Sequence, residues 1–160
     1  MKDYIIQARL LSASYDELTD DDRQLVDRAK AMTTVAYQPY SHFGVGAALL
    51  LRDGSIFVGC NQENAAFGAG ICAERSAFFA AGAAKPDVPP VAIAIAAQNA
   101  DGFLPLAVAP CGICRQALTE AEVRFQQPIR VILYGTDQIL IASSMQDLLP
   151  LNFDNTSLKY

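Results

Sequence analysis

Three cysteines and one glutamate lie in two short motifs whose residue types could hold and use a metal ion. The motifs are Cys72-Ala73-Glu74 and Pro110-Cys111-Gly112-Ile113-Cys114. Three thiolates can bind zinc and leave its fourth tetrahedral position open for water, which is typical of catalytic zinc sites rather than structural ones. We therefore predict that Cys72, Cys111 and Cys114 bind one zinc ion per chain.

Glu74 is the candidate proton carrier at such a site. When water attacks an amidine carbon and the amino group leaves as ammonia, a ring nitrogen must accept a proton and the departing nitrogen must be protonated. One carboxylate that serves both atoms meets both demands. Cys72 and Glu74 would point in nearly opposite directions in a regular helix, so they can converge only if Cys72 lies at the helix cap. Alternatively, Glu74 is a first-turn carboxylate that stabilises the helix dipole.

Other interpretations of the cysteines are open. A Cys-x-x-Cys pair can belong to a structural zinc site, act as a redox pair, or be two buried apolar residues. A structural site closes with four protein ligands, and the remaining thiol and histidine are Cys60 and His42. A four-thiolate site with Cys60 leaves Glu74 without a role. Four cysteines in 160 residues without a secretory signal suit a reducing compartment rather than a disulfide framework.

Two arginines follow the predicted site residues directly. Zinc(II) with three thiolates carries a net negative charge, which would weaken its power to acidify water. Arg75 and Arg115 could offset this charge by donating hydrogen bonds to thiolate sulfur. The alternative is that both are surface residues of amphipathic helices.

Composition limits the partners of the chain. The net charge is −5 and the isoelectric point is about 4.7, and the basic residues are scattered. We therefore expect no nucleic-acid partner, because phosphate binding needs clustered Lys and Arg. The start of the chain lacks a signal peptide, and no apolar run is long enough to span a membrane. We expect a cytoplasmic protein with a small, nearly neutral substrate and no membrane partner.

The apolar pattern predicts helices alternating with strands in one domain of residues 1–160, in which 1–19 form an N-terminal arm. Residues 2–11 suggest a short strand or an ordered arm. The first predicted helix has its N-cap among Asp20, Asp21 and Asp22 and stops before Pro39, the second covers 73–84, and the third runs from 111 to about 125. The predicted strands are 44–51, 55–58, 91–97, 129–134 and 139–142, of which 91–97 is continuously apolar. Asp53-Gly54 between the first two strands predicts a hairpin. The fold class is α/β, a three-layer helix–sheet–helix sandwich with a mixed five-stranded sheet. The short link between the last two strands makes them antiparallel.

Several motifs in fixed order carry a family resemblance. They are Pro39-Tyr40-Ser41-His42-Phe43, Val45-Gly46-Ala47-Ala48, Asn61-Gln62-Glu63-Asn64-Ala65, Cys72-Ala73-Glu74-Arg75, Pro110-Cys111-Gly112-Ile113-Cys114-Arg115-Gln116 and Leu148-Leu149-Pro150. From about Tyr37 to Phe153 the chain resembles the small, tetrameric, zinc-dependent cytidine deaminases. The resemblance implies hydrolytic deamination of cytidine and deoxycytidine to uridine and deoxyuridine in pyrimidine salvage, by a cytidine deaminase-like homotetramer that binds a nucleoside.

The resemblance also implies substrate contacts. Asn61 and Glu63 would bind the ribose hydroxyls, Phe43 would stack on the pyrimidine, and the backbone of Ala73 would meet the base carbonyl. Phe153 would reach into the pocket of a neighbouring subunit. The alternatives are a turn residue for Asn61, a solvated carboxylate for Glu63, and core positions for both phenylalanines.

Two departures from the family and two competing functions remain. Phe67 stands where the family usually has Tyr, and Asp154-Asn155-Thr156 replaces Gly-Pro-Glu. One competing function is deamination of a related aminonucleoside or another aminated base. The other is a non-catalytic, zinc-stabilised oligomeric binding protein, which would have no reason to place a glutamate beside an open metal position.

Overall fold

The computed structural model describes residues 1–158, within which seven strands form one sheet flanked by three α-helices. The expected domain of 1–160 includes Lys159 and Tyr160, which lie outside the described residues. The helices are α1 (Asp20–Thr33), α2 (Ala73–Ala84) and α3 (Gly112–Phe125). The strands are β1 (Leu10–Ala13), β2 (Gly44–Leu51), β3 (Ile56–Cys60), β4 (Pro90–Asn99), β5 (Gly102–Phe103), β6 (Arg130–Leu133) and β7 (Ile139–Ala142).

The sheet is mixed, as predicted. Its strand order is β1-β7-β6-β4-β2-β3, and β5 pairs with the end of β4. The pair β4–β6 is parallel and is connected through α3, whereas the other strand pairs are antiparallel. Antiparallel pairing of the last two strands, β6 and β7, is confirmed. The predicted hairpin is also confirmed, and Gly54 has φ +85° in its turn, where a side chain would be strained.

The prediction of five strands is wrong, because the sheet has seven within the described part of the chain. The strands missed are β1 and β5. The sequence suggested only a strand or arm over 2–11, whereas the regular strand covers Leu10–Ala13 and pairs with β7, more than a hundred residues away. Strand β5 has two residues, too few to show a periodic pattern. Both strands depend on a partner rather than on their own sequence.

Helices cover both faces of the sheet, which confirms the three-layer prediction. Alternate residues of β4 point to opposite faces, so that Ile93 and Ile95 pack with α2 and α3 while Ala94 packs with α1. The two apolar layers share β4 as their common centre. The sheet is therefore buried on both sides, as the continuously apolar sequence of this strand predicts.

Two glycines set the distance between the sheet and its helices. A Cβ atom on Gly46 would lie 2.0 Å from the Ala29 carbonyl oxygen of α1. A Cβ atom on Gly59 would lie 2.5 Å from the Ala73 carbonyl oxygen and 2.5 Å from the Ala77 nitrogen of α2. Only glycine allows this approach, so the start of α2 lies directly against β3.

The helix ends agree closely with the prediction for α2 and α3, and less closely for α1. Thr19, rather than one of the following aspartates, caps α1, since its Oγ1 accepts a hydrogen bond of 3.2 Å from the Asp22 amide. The Asp22 carboxylate is free to pair with Arg130 at the start of β6. In the described part of the chain, no helix has the length and hydropathy that a membrane crossing requires.

Candidate metal and substrate site

The three predicted zinc ligands come together. The sulfur atoms of Cys72, Cys111 and Cys114 lie within 4.8 Å of one another. The Sγ–Sγ distances are 3.7 Å between Cys72 and Cys111 and 3.5 Å between Cys111 and Cys114. Zn–S bonds of about 2.3 Å at tetrahedral angles put sulfur atoms roughly 3.8 Å apart. The spacing of the thiols therefore fits one zinc ion.

Helix starts bring these thiols together. Cys72 is the N-cap of α2 and Cys111 is the N-cap of α3, both with extended backbone, while Cys114 lies in the first turn of α3. The predicted cap position of Cys72 is thus confirmed. Free N–H groups and the helix dipole at such ends favour anionic ligands.

Cys60 lies outside this thiol group. It is buried at the end of β3, where its sulfur accepts a hydrogen bond of 3.1 Å from Gln62 Nε2 and lies 3.7 Å from the Val35 carbonyl oxygen. The potential metal ligands that cluster among residues 1–158 are the three other cysteines. A closed four-thiolate site with Cys60 does not match this arrangement.

Arg75 supplies positive charge beside the thiols. Hydrogen bonds from the thiols of Cys114 and Cys111 and from Arg75 lower the pKa of Cys72 to about 5. Arg75 contacts the sulfur atoms of both Cys72 and Cys114, and its Nε is buried without a hydrogen-bond partner in the described chain. Arg75 is therefore placed to offset thiolate charge.

Arg115 is placed differently. Its Nε donates to the Pro110 carbonyl oxygen at 2.7 Å, and its Nη1 donates to the Leu148 carbonyl oxygen at 2.7 Å. These bonds connect the start of α3 with the segment after β7. Arg115 thus fixes the loop that carries Cys111, and these hydrogen bonds go to backbone oxygens rather than to sulfur.

Glu74 occupies the first turn of α2, and 3% of its surface is exposed. Burial raises the pKa of its carboxyl above the ordinary value. A carboxyl with a raised pKa holds and releases a proton closer to neutral pH, which is what a proton carrier needs. The Glu74 carboxyl interacts with the side chains of Cys72 and Cys114, which places it at the thiol group.

A cavity of about 630 Å³ opens beside the thiols, a volume suited to a small molecule. Cys72, Arg75, Asn61 and Glu63 line this cavity. The remaining lining residues include Tyr40, Ser41, Phe67 and Ile113.

Asn61 and Glu63 organise the wall of this cavity. Asn61 Oδ1 accepts from the Val45 amide at 2.8 Å, and its Nδ2 donates to the Phe43 carbonyl oxygen at 2.9 Å. Glu63 Oε2 accepts from the amides of Tyr40 at 2.9 Å and Ser41 at 3.2 Å. Hydrogen bonds from the Ser41 side chain and the Tyr40 amide hold the pKa of Glu63 below its ordinary value. Glu63 is therefore a carboxylate with one oxygen already engaged.

The other predicted substrate residues differ in exposure. Ala73 is fully buried at the first position of α2, and Phe43 is half-buried at the start of β2. Phe153 is 60% exposed, which excludes a core position, and its carbonyl oxygen accepts a hydrogen bond of 2.8 Å from Gln116 Nε2. This bond holds the segment after β7 against α3.

The sequence prediction did not select the apolar rim of the cavity. Tyr40 and Phe67 meet edge-on with ring centroids 6.5 Å apart, and Ile113 is exposed between two of the cysteines. All three lie inside or beside the motifs, so proximity to those motifs was the available signal. Their exposure is a property of the folded chain, and no local pattern reports it.

The match to a known protein family covers the residues of this site. Residues 19–126 match the family described as the cytidine and deoxycytidylate deaminase zinc-binding region. The chain belongs to this family. The matched range contains the thiols, Glu74 and the residues that line the cavity.

Individual relatives agree. A cytidine deaminase of Halalkalibacterium halodurans is 46% identical over 101 residues, which are 62% of this chain and 71% of that protein. A probable cytidine deaminase of Dictyostelium discoideum is 37% identical over 125 residues, 78% of each. A crystal structure of cytidine deaminase from Burkholderia pseudomallei superposes with a TM-score of 0.71 at 40% identity, covering 85% of this chain and 100% of that one.

Proposed function

We propose that this chain is a zinc-dependent cytidine deaminase that hydrolyses cytidine and deoxycytidine to uridine and deoxyuridine with release of ammonia. The observation that carries the proposal is the buried Glu74 carboxyl beside three thiols that are spaced for one metal ion, with Cys72 lining the adjoining cavity. A structural zinc site is closed by four protein ligands, so it requires neither a buried carboxyl beside the metal nor an adjoining cavity.

Cys72, Cys111 and Cys114 would hold the zinc ion, which, when bound, supplies the Lewis acidity that activates water at neutral pH. Glu74 takes a proton from the attacking water and delivers one to the ring nitrogen next to the reacting carbon. It then takes the proton of the newly added hydroxyl and transfers it to the amino nitrogen, which leaves as ammonia as the C–N bond breaks and the carbonyl forms. Arg75 offsets the charge of the thiolates throughout.

The cavity wall would bind the nucleoside. Glu63 and the free N–H of Asn61 would receive the ribose hydroxyls, and the amide of Ala73 at the start of α2 would meet the base carbonyl. Phe43 would stack on the ring. The hydrogen bonds that already fix Asn61 and Glu63 support this proposal, because they orient both groups before substrate arrives.

We also propose a homotetramer in which Phe153 completes the pocket of a neighbouring subunit. Phe153 is exposed and the cavity rim is apolar. The outer face of α2 carries Phe79, Ala80 and Ala83, and the small alanine side chains would let a second copy of the chain approach closely. The free thiols suit a reducing compartment, so we place the enzyme in the cytoplasm and in pyrimidine salvage.

A substrate panel tests the proposed activity. Zinc-loaded protein is incubated with cytidine, deoxycytidine, free cytosine and another aminonucleoside, and both ammonia and the ultraviolet change from cytidine to uridine are measured. We expect cytidine to exceed cytosine by up to ~10⁴-fold, because a site built for ribose hydroxyls is left unpaired without them. Glu63→Ala should reduce the turnover of cytidine most and so decrease the ratio of cytidine turnover to cytosine turnover.

The matched control is Glu120→Ala, which removes an exposed carboxylate on α3. It should leave the preference unchanged. Equal turnover of cytosine and cytidine would contradict the ribose contacts, whereas zinc binding without ammonia release from any compound would favour the non-catalytic binding protein.

A further inference from the structure

The arm before α1 ends in an open sheet edge. Strand β1 is an outer strand of the sheet and is paired on one side with β7. Residues 1–9 precede it without regular secondary structure and are exposed. An edge strand offers unpaired N–H and C=O groups that favour pairing with another strand.

The arm has the pattern of a strand with two different faces. Tyr4, Ile6, Ala8 and Leu10 share one face at the period of two that strands require. The large apolar side chains of the arm are exposed, with Tyr4 at 83%, Ile5 at 76% and Ile6 at 44%. The sequence pattern of the arm is therefore amphipathic, and its apolar side chains face solvent.

The arm is not part of the shared catalytic unit. The family match covers residues 19–126 and so begins after the arm. The large apolar side chains of the arm thus need an explanation other than the zinc site. An exposed apolar segment of this kind in a folded protein marks an interaction surface.

We propose that the arm pairs antiparallel with the same arm of a second copy of this chain, with Ile6 on the two-fold axis. In this register Asp3 of each copy lies opposite Arg9 of the other, which gives two symmetric ion pairs. Ile6 lies opposite its own equivalent, and Tyr4 lies opposite Ala8. The two sheets are thereby joined through their β1 ends.

Charge and face together select this register. A shift of one residue in one direction places Lys2 opposite Arg9, a like-charge contact, and a shift in the other direction places Tyr4 opposite Arg9. Either shift also mixes the apolar face of one arm with the polar face of the other, because the side-chain period is two. A second copy is favoured over an unrelated strand because the arm supplies its own complementary charges.

The central residue gives a direct test. Directly opposed residues of antiparallel strands have Cα atoms about 4.5–5.5 Å apart, within the range that a disulfide bridges. Zinc-loaded Ile6→Cys protein is oxidised mildly and examined on a denaturing, non-reducing gel. We expect a covalent dimer. Gln7→Cys is the matched control, because its equivalents are offset along the strands and lie roughly 8 Å apart.

Charge variants test the register. Asp3→Lys in the Ile6→Cys background should slow cross-linking about tenfold, because two opposite-charge pairs become like-charge pairs. Adding Arg9→Asp should restore the rate. The proposal is overturned if the Ile6→Cys protein cross-links no faster than the Gln7→Cys protein. It is also overturned if neither Asp3→Lys nor the added Arg9→Asp changes the rate of cross-linking. The gel reports arm contacts alone, so the result does not depend on whether the protein is active or forms a tetramer through other surfaces.

Discussion

At the residue scale, the proposed chemistry assigns metal binding to the three thiols and proton transfer to Glu74. The three sulfur atoms are spaced for one metal ion, and Glu74 lies buried beside them with a raised pKa. We therefore expect the thiols to determine metal content and the carboxyl to determine proton transfer. Separate variants should separate the two properties.

Glu74→Gln should reduce kcat by about 10²–10⁴-fold, the usual contribution of general acid–base catalysis. Glutamine keeps the size and the hydrogen-bonding oxygen of the side chain but cannot carry a proton. Zinc content, measured by metal analysis on the same sample, should stay near one per chain because Glu74 is not a ligand. A variant that keeps most of its activity would remove Glu74 from the mechanism.

Cys111→Ala should lose zinc and lower the free energy of unfolding, because metal binding to the folded state is coupled to folding. Cys60→Ala is the matched control, since it removes a buried thiol outside the cluster. Metal analysis and thermal unfolding with and without a chelator distinguish the two. Loss of zinc in Cys60→Ala as well would favour the four-thiolate alternative.

At the element scale, the site depends on how closely α2 approaches β3. The start of α2 carries Cys72 at its cap and Glu74 in its first turn, and Gly59 is the contact that lets this helix end lie against the strand. The hydrogen bonds of Arg115 hold the start of α3 in the same way. Displacing either helix would separate ligands that the sequence places far apart.

Gly59→Ala should destabilise the protein by about 1–3 kcal/mol, the usual cost of overpacking, and should lower zinc affinity and kcat together. Its new methyl group would meet the Ala73 and Ala77 backbone at 2.5 Å. Gly82→Ala on α2 is the control, because nothing lies within 4 Å and alanine favours the helix by about 0.5–1 kcal/mol. Denaturant unfolding measures stability and zinc titration measures affinity. Equal stability and equal zinc affinity in the two variants would contradict the close approach of α2 to β3.

At the scale of the whole molecule, the question is whether the pocket is completed by another copy. Phe153 is 60% exposed and anchored near α3 by Gln116, and the rim of the cavity is apolar. A ring supplied from a neighbour would cover the base and exclude water. These features favour an assembly whose interfaces include the cavity mouth.

Light scattering should show a homotetramer, and Phe153→Ala should raise KM for cytidine without unfolding the subunit. The physical reason is loss of an aromatic cover on a buried base. Leu158→Ala is the control, since it removes another exposed apolar side chain further along the same tail. An active monomer would contradict the assembly, and an unchanged KM in a tetramer would contradict the shared pocket alone.

The sequence by itself determined the elements and the chemistry. The helices near 73 and 111, the hairpin, the antiparallel last strands and the three thiols with Glu74 follow from local periodicity, turn residues and ligand spacing. The fixed order of the motifs also indicated the family. These features are encoded over a few residues each, so the sequence displays them directly.

Only the tertiary structure decided the rest. Strand β1 exists because the distant strand β7 pairs with it, and β5 is a two-residue pairing with the end of β4 that is too short to show a pattern. The partners of Arg115 are backbone oxygens that folding brings near. The exposure of Phe153 and the engagement of Asn61 and Glu63 are likewise set by neighbours far along the chain. Such contacts join residues without a common local pattern, because the free energy that selects them comes from packing and hydrogen bonding across the fold.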